Sequence, residues 1–334
     1  MNLGSDWADS LPKEEGVLIM NDKDIAIVFP GQGSQRPGMG KDFYDQLPVC
    51  REIYQEASDA VGWDVAAMCF GDDERLNLTE YTQPCILTTE IAMLRGISDL
   101  HGLLPTIYGG HSLGEFTALV AADALPLFEA LRIVQKRGKL MQEATPVGIG
   151  GMAAIISEDL DIYTIDQALA DLPVDIANVN SSEQVVISGA ASAFPKVAVR
   201  LADTIHGDQT FRYVPLNVSA PFHSRFMRSV EAEFAIVLEH SCSNFSPENA
   251  ICVTSNLTGS FHYGCCEEIM RALVYQLSST VQWMDNMKAI AHKADAIYEI
   301  GPGRPLRDFF KTIDVNCMSV VSLSAATRIF GLNN

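Results

Sequence analysis

Apolar and polar positions form two different patterns along the chain. A β-branched run at residues 25–29 stops at Pro30-Gly31, which predicts a buried strand that ends in a turn. A second short strand is predicted at residues 106–108, directly before Gly109-Gly110. Helical spacing surrounds both strands, at residues 42–59, 83–100, 115–122 and 127–144. Strands that alternate with helices predict an α/β fold built on a parallel sheet.

The second pattern covers residues 148–218, where short strands are more frequent. Strands are predicted at 152–156, 174–178, 185–188 and 211–214, with helical stretches at 160–172 and 193–201. This β-α-β-β-α-β order is that of a ferredoxin-like unit. The larger pattern resumes at 223–239, 253–256, 267–277 and 296–300. We therefore predict an N-terminal extension at 1–22, a large α/β subdomain at 23–146 and 219–330, and a small ferredoxin-like subdomain at 147–218.

The charge of the chain narrows its partners. Among 334 residues, 42 are acidic and 23 basic, which gives a formal net charge of −19. Repulsion from phosphates excludes nucleic acid and an anionic membrane surface as expected partners. No run approaches the ~20 consecutive apolar residues that span a bilayer. The first twenty residues resemble neither a signal nor a transit peptide, so we expect a soluble, cytoplasmic protein.

Eight cysteines are scattered along the chain, without a C-x-x-C pair or a histidine at metal-ligand spacing. This pattern predicts reduced thiols and no metal site. The adjacent Cys265 and Cys266 are open to oxidation on handling.

A G-x-S-x-G pattern, Gly110-His111-Ser112-Leu113-Gly114, lies between the second strand and a predicted helix. In this context a serine occupies a sharp turn with its hydroxyl exposed, and the glycines let strand and helix approach closely. The pattern predicts that Ser112 is a nucleophile that carries an acyl group as an ester. The alternative is a glycine turn whose serine caps the helix.

Main-chain amides near Ser112 are candidates for an oxyanion hole. The helix after Ser112 points its N-terminal amides toward the serine, and the Leu113 amide is the first candidate donor. The loop at 31–35, which contains Gln32, follows the first strand and is the expected source of a second donor. The alternative for this loop is a plain turn that ends the strand.

Seven histidines compete for the role of the base that activates the serine. His111 adjoins Ser112, but neighbours at such a turn point in different directions, so we expect it to line the pocket or brace the turn. His223 follows a predicted strand and precedes a predicted helix, from where it can reach the cleft. His223 is therefore the candidate base, and the other five histidines are expected at the surface.

Arg137 lies close to the apolar face of the helix predicted at 127–144. A buried guanidinium is costly unless it meets an anion, and its planar fork suits a carboxylate. Arg137 could therefore hold a substrate carboxyl near Ser112. The alternatives are an internal ion pair with Glu143 and a side chain that extends to water.

Seven motifs in this order resemble those of the malonyl-CoA:acyl carrier protein transacylases and of the acyltransferases that serve polyketide synthases as separate chains. They are FPGQGSQ at 29–35, GHSLGE at 110–115, RGKLMQ at 137–142, NVN at 178–180, the loop ending at His223, Gln276, and GPG at 301–303. The resemblance runs from about residue 25 to the C-terminal region. It implies an α/β-hydrolase-like large subdomain with a parallel sheet and a ferredoxin-like insertion.

The same resemblance implies roles for individual residues. Ser112 and His223 would form a dyad, with the imidazole oriented by the main-chain carbonyl of Gln276 instead of an acidic side chain. The amides of Gln32 and Leu113 would form the oxyanion hole, and Arg137 would bind the free carboxylate of a malonyl-type group. The other substrate-binding residues implied are His111, Met141, Phe222, Asn180 and Gln276.

The resemblance further implies a ping-pong reaction. Malonyl-CoA would acylate Ser112, CoA would leave, and the phosphopantetheine thiol of an acyl carrier protein would take the acyl group. Acyl-CoA and the carrier protein are substrates, and no cofactor is expected. We expect the chain to act as a monomer, in fatty acid or polyketide biosynthesis.

Substrate choice is less closely defined. In polyketide-type relatives a Phe before the histidine is associated with malonyl and a Ser with methylmalonyl, so Phe222 favours malonyl. Ala220-Pro221 departs from the common pattern, which keeps carrier-bound hydroxymalonyl or aminomalonyl as alternatives.

An acyl carrier protein hydrolase is an alternative function, although relatives of that kind tend to lack the arginine at the position of Arg137. A docking protein without catalytic activity is the last alternative. Candidate docking residues for an acidic carrier protein are Arg225, Arg228, Arg304 and Lys311.

Overall fold

The computed structural model describes residues 23–146, 148–204, 211–218 and 220–331, and these contain ten strands and fourteen α-helices. The strands are β1 (Ile25–Phe29), β2 (Ile107–Gly110), β3 (Gly150–Ile156), β4 (Val174–Ser181), β5 (Gln184–Ala190), β6 (Arg212–Leu216), β7 (Thr254–Ser255), β8 (Ser260–Phe261), β9 (Ala296–Ile300) and β10 (Cys317–Val320). The helices are α1 (Lys41–Gln46), α2 (Pro48–Val61), α3 (Val65–Phe70), α4 (Thr79–His101), α5 (Leu113–Ala121), α6 (Leu127–Glu143), α7 (Ile162–Leu169), α8 (Phe194–Thr204), α9 (Glu231–His240), α10 (Pro247–Ala250), α11 (Cys266–Tyr275), α12 (Trp283–Lys293), α13 (Pro305–Lys311) and α14 (Leu323–Phe330). The extension predicted at 1–22 lies outside the described residues.

A parallel sheet with the strand order β10-β9-β1-β2 organises the larger part of the molecule. Strand β1 is buried along its whole length, with Ile27 and Phe29 in one hydrophobic cluster and Ala26 and Val28 in another. Burial on both faces explains why its sequence is a continuous apolar run. Because β1 and β2 are parallel and pair in register at their carboxyl ends, the segments that follow them emerge side by side. The mixed α/β fold with a parallel sheet is confirmed.

A second, antiparallel sheet has the order β4-β5-β3-β6 and carries α7 and α8. Its elements follow the β-α-β-β-α-β order predicted for 148–218. The side chains of β3 alternate between two surroundings: Ala153 and Ile155 pack with α7 and α8, whereas Met152 and Ala154 join the large hydrophobic core. The sheet therefore presents one face to its own helices and the other to the rest of the protein. The subdomain boundaries stay predictions.

Several predicted elements differ from those in the structure. The helix predicted at 42–59 is two helices, because Leu47 adopts an extended conformation before Pro48. The helix predicted after His223 begins only at Glu231, because His223 has a φ of 56° and a 3₁₀ turn, Arg225–Val230, intervenes. Helices α12, α13 and α14 and strand β10 were not predicted.

Within the described ranges, no helix combines the length and the apolar character needed to cross a bilayer. All eight cysteines are free thiols in the structure. The Sγ atom of Cys266 lies 2.9 Å from that of Cys242, whereas the Sγ atom of Cys265 donates to Glu267 Oε2 at 2.9 Å.

Candidate active site

The turn after β2 presents Ser112 at the carboxyl edge of the parallel sheet. Ser112 has φ 53° and ψ −102°, a conformation that costs a non-glycine residue of order 1–3 kcal/mol. The flanking glycines allow it: a Cβ atom on Gly110 would lie 2.0 Å from the carbonyl oxygen of Gly114, and one on Gly114 would lie 2.2 Å from that of Phe29. The main-chain N–H of Ser112 donates to Asn256 Oδ1 at 2.7 Å. Strand, turn and helix are thus packed main chain against main chain.

The Ser112 hydroxyl faces an imidazole. Its Oγ atom lies 2.8 Å from His223 Nε2, and His223 Nδ1 lies 2.7 Å from the carbonyl oxygen of Gln276. Because a carbonyl only accepts hydrogen bonds, Nδ1 carries the proton and the lone pair of Nε2 faces the serine. This arrangement allows Nε2 to take a proton from Ser112.

His223 is kept neutral by its surroundings. The side chain is only 4% exposed, and burial, followed by the positive charge of Arg137, lowers the pKa of His223 to about 3. Its left-handed φ of 56° turns the ring out of the chain direction and toward Ser112. The next residue, Ser224, closes the loop by donating its hydroxyl to the carbonyl oxygen of Pro221 at 2.6 Å.

Arg137 reaches the same point from α6. Its side chain is 1% exposed, and it donates to Gln83 Oε1 at 2.8 Å, to Gln276 Oε1 at 2.7 Å and to Ser112 Oγ at 3.2 Å. All three acceptors are neutral, and burial lowers the pKa of Arg137 to about 10. The ion pair with Glu143 and the extension to water are both wrong, because the guanidinium is buried next to Ser112. A buried cation without a bound carboxylate is suited to an incoming anion.

A buried polar group lies behind these three residues. Glu115 is fully buried on α5; its Oε2 atom accepts from Gln276 Nε2 at 2.7 Å and from the main-chain N–H of Asn256 at 2.9 Å. Its other oxygen, Oε1, lies 2.8 Å from Nε2 of His262. His262 is 6% exposed, so the prediction that it lies at the surface is wrong. It directly follows strand β8, and its contact with Glu115 on α5 explains its burial.

Ser112 opens into a cavity of about 850 Å³ between the two sheets. Gln32 and Leu113 both line it, and among the described residues no protein group accepts a hydrogen bond from either main-chain N–H. Two donors free to bind an anion next to the serine are what an oxyanion hole requires. The Gln32 side chain is engaged elsewhere, because its Nε2 donates to Thr79 Oγ1 at 3.2 Å.

The other predicted binding residues divide into two groups. His111, Met141, Phe222 and Asn180 line the cavity, and His111 Nε2 lies 2.8 Å from Asn180 Oδ1. Burial lowers the pKa of His111, which favours its neutral form. Gln276 does not line the cavity: it is 1% exposed and lies behind the Arg137 guanidinium. The prediction that Gln276 binds substrate therefore disagrees with its position, because its side chain forms hydrogen bonds with Arg137 and Glu115.

The acyl transferase domain family matches residues 26–304 of the chain. This chain belongs to that family. The membership confirms the resemblance on which the residue roles were predicted, and the match includes every residue described at the site.

Two relatives with transacylase names are similar to most of the chain. The malonyl CoA-acyl carrier protein transacylase of Bacillus subtilis (strain 168) is 37% identical over 296 residues, which cover 87% of this chain and 90% of the relative. The protein of the same name from Haemophilus influenzae is 37% identical over 317 residues, with 92% and 98% covered.

Solved structures agree with this acyl transferase in fold. The malonyl-CoA:acyl carrier protein transacylase of Xanthomonas oryzae has a TM-score of 0.84 at 34% identity, over 94% of this chain and 99% of that one. A malonyl-transacylase solved in complex with a type II polyketide synthase acyl carrier protein has a TM-score of 0.82 at 34% identity, over 93% and 100%.

The four candidate docking residues of this acyl transferase differ in their surroundings. Arg225 forms an ion pair with Asp175, and Lys311 Nζ lies 2.8 Å from Asp308. Arg228 and Arg304 are exposed, and neither has an ion-pair partner within the described part of the chain. Only the last two present an uncompensated positive charge to solvent.

Proposed function

We propose that this acyl transferase moves a malonyl group from CoA to the phosphopantetheine thiol of an acyl carrier protein, through an ester on Ser112. The observation that carries the proposal is the buried Arg137 guanidinium, which lies 3.2 Å from Ser112 Oγ and has only neutral acceptors. Malonyl differs from acetyl by a carboxylate, which is the group this cation lacks. The names of the relatives point to the same reaction.

The proposed reaction has two halves that use the same atoms. Ser112 Oγ attacks the thioester carbonyl of malonyl-CoA while His223 Nε2 takes its proton, and the amides of Gln32 and Leu113 bind the resulting oxyanion. When the C–S bond breaks, the proton passes from His223 to the leaving thiolate of CoA. The carrier thiol then attacks the serine ester with His223 again as base, and the proton returns to Ser112 Oγ. These steps need no cofactor and no metal.

Two alternatives concern the acyl group and its acceptor. Phe222 is 6% exposed and lines the cavity, so its ring occupies space next to the reacting groups and favours an unbranched malonyl group. Carrier-bound hydroxymalonyl or aminomalonyl is an alternative donor, since either carries the same carboxylate. A hydrolase would need no carboxylate-binding cation, so the burial of Arg137 favours transfer.

The partners follow from the proposed reaction. Arg228 and Arg304 are the remaining candidates for carrier docking, because neither is paired with an acidic side chain in the described part of the chain. The monomeric state, the cytoplasmic location and the pathway, fatty acid or polyketide biosynthesis, stay predictions.

Acylation of the intact protein tests the proposal. We expect malonyl-CoA to add one malonyl mass to the wild type and none to Ser112→Ala, with transfer to a phosphopantetheinylated carrier protein in a second incubation. A mixture of acyl-CoAs and acyl carriers identifies the preferred donor from the adduct that remains. Labelling of the Ser112→Ala variant would contradict the nucleophile. Release of free acid without transfer between carriers would identify a hydrolase.

A further inference from the structure

Glu115 is a buried acidic residue that contacts the site and takes no part in the proposed reaction. It follows Ser112 by three residues at the start of α5, where S-x-x-E is the sequence of a helix capping box. In a capping box the glutamate would reach back to the main-chain N–H of Ser112. That N–H donates to Asn256 instead, and α5 has no side-chain cap. Helix capping therefore does not account for Glu115.

Gln276 and Asn256, which both donate hydrogen bonds to Glu115, connect it to the Ser112 turn, and Gln276 also connects it to His223 and Arg137. Gln276, whose Nε2 donates to Glu115 at 2.7 Å, contacts His223 with its main-chain carbonyl, Arg137 with its side-chain Oε1, and the Ser112 carbonyl oxygen with the same Nε2 at 3.1 Å. Asn256, whose main-chain N–H donates to Glu115, binds the N–H of Ser112 and the carbonyl oxygen of Gly110.

The chemistry of the groups determines which way the Gln276 amide faces. A carboxylate only accepts hydrogen bonds and a guanidinium only donates them. The Gln276 amide lies between the two, so its NH₂ group faces Glu115 and its oxygen faces Arg137. The reverse orientation would place oxygen against oxygen and N–H against N–H. A neutral residue in place of Glu115 would remove half of this constraint.

We propose that Glu115, held from its other side by His262, is a positioning residue that orients Gln276 and through it the Arg137 guanidinium toward the substrate carboxylate. The inference rests on the proposed function, because it concerns recognition of that carboxylate. Glu115 touches none of the reacting atoms itself. Its negative charge also raises the pKa of Arg137, against the larger effect of burial, and so favours the cationic form.

The test measures the ratio of Ser112 acylation rates with malonyl-CoA and acetyl-CoA, followed by the mass of the intact protein. Both rates come from one preparation, so the ratio does not depend on how much protein is folded. We expect Glu115→Gln and Glu115→Met to lower the ratio, by at least about tenfold for the methionine variant, because acetyl makes no use of Arg137. The isosteric glutamine variant carries the test if the methionine variant does not fold.

Glu90→Gln is the matched control. Glu90 is also fully buried, on α4, where its Oε2 atom accepts from Thr117 at 2.6 Å, and burial raises its pKa well above the ordinary range. We expect this variant to keep the wild-type ratio. A double-mutant cycle with Gln276→Ala, which keeps the main-chain carbonyl for His223, should show that the two losses are not additive.

An unchanged ratio in both Glu115 variants, with only a lower melting temperature, would make Glu115 a purely structural residue and overturn the inference. Additive losses in the cycle would also overturn it, because Glu115 would then act independently of Gln276. Failure of the wild type to take a malonyl group would contradict the proposed function instead.

Discussion

The two sheets contribute to the cavity in different ways. The parallel sheet contributes chain ends: Ser112 follows β2 and Gln32 follows β1, and both positions are set by buried main chain. The antiparallel sheet contributes one face, on which side chains such as Met152 and Val214 form a wall. The main chain thus fixes the positions of Ser112 and Gln32, whereas side chains of the antiparallel sheet form the wall. Substitutions on the two sides should therefore have separable effects.

Removing the base should give the largest effect. In His223→Ala no group remains to take the proton from Ser112, so we expect kcat/KM for malonyl transfer to fall roughly 10²–10⁴-fold. The adduct on Ser112 should form slowly, with KM little changed. A loss of less than about tenfold would show that another group serves as base, and the comparison between the sheets would lose its main support.

Arg137 should separate the substrates. In Arg137→Ala we expect the rate of acylation by malonyl-CoA to fall on the order of 10²-fold, because a buried charge-assisted hydrogen bond is lost, and acylation by acetyl-CoA to fall far less. Parallel assays with the two donors measure the difference. Equal losses would mean that Arg137 supports the structure of the site and does not recognise the carboxylate.

The pH profile tests how the positive charge of Arg137 affects the protonation of His223. His223 acts in its neutral form, and burial followed by the charge of Arg137 lowers its pKa to about 3. We expect kcat/KM to stay level from pH 8 to about 5, where a histidine of ordinary pKa would be only about 3% neutral. Arg137→Ala should move the acid limb to higher pH. A wild-type inflection near the ordinary value would show that His223 is more solvated than its burial implies.

Stability should respond to the same group in a defined direction. The pKa of His223 is lower in the folded protein than in the unfolded chain, so between these two values only the unfolded chain binds a proton on this residue. We therefore expect the contribution of His223 to the free energy of unfolding to be fully present above its unfolded pKa and to be lost as the pH falls from there to about 3.

The wall of the cavity should give the smallest effects on chemistry. Met152→Ala enlarges the cavity, and we expect KM to rise a few-fold with kcat nearly unchanged. Ile155→Ala, on the opposite face of β3, should cost about 2–4 kcal/mol of unfolding free energy without a change in KM. Steady-state kinetics and urea unfolding measure the two quantities. A large fall in kcat for Met152→Ala would mean that the wall also positions reacting atoms.

Local features of the site could be predicted from the sequence, and long-range ones could not. The turn at Ser112 has a signature because its glycines and its serine lie within five residues. For His223 and Arg137 the sequence left alternatives open, because it does not show which loop or which helix face meets Ser112. The family resemblance then favoured the base and carboxylate-binding roles over the alternatives.

Glu115, Asn256 and His262 were missed for the same reason, to different degrees. Their contacts join residues up to 147 positions apart, and the sequence around His262 gives no sign of its contact with Glu115. In the fold, the first strands were predicted well because burial on both faces leaves continuous apolar runs. Helices such as α13, with seven residues, are too short to show a clear period.

The backbone conformation of Ser112 has a consequence for when the site is assembled. Close contacts between Gly110, Gly114 and Phe29 oppose any relaxation of the turn. The unfavourable conformation is therefore offset once, while the chain folds, by the burial of the strands and helix around it. Each catalytic cycle then starts with the nucleophile already in place, and the arrival of a substrate needs no ordering of this turn.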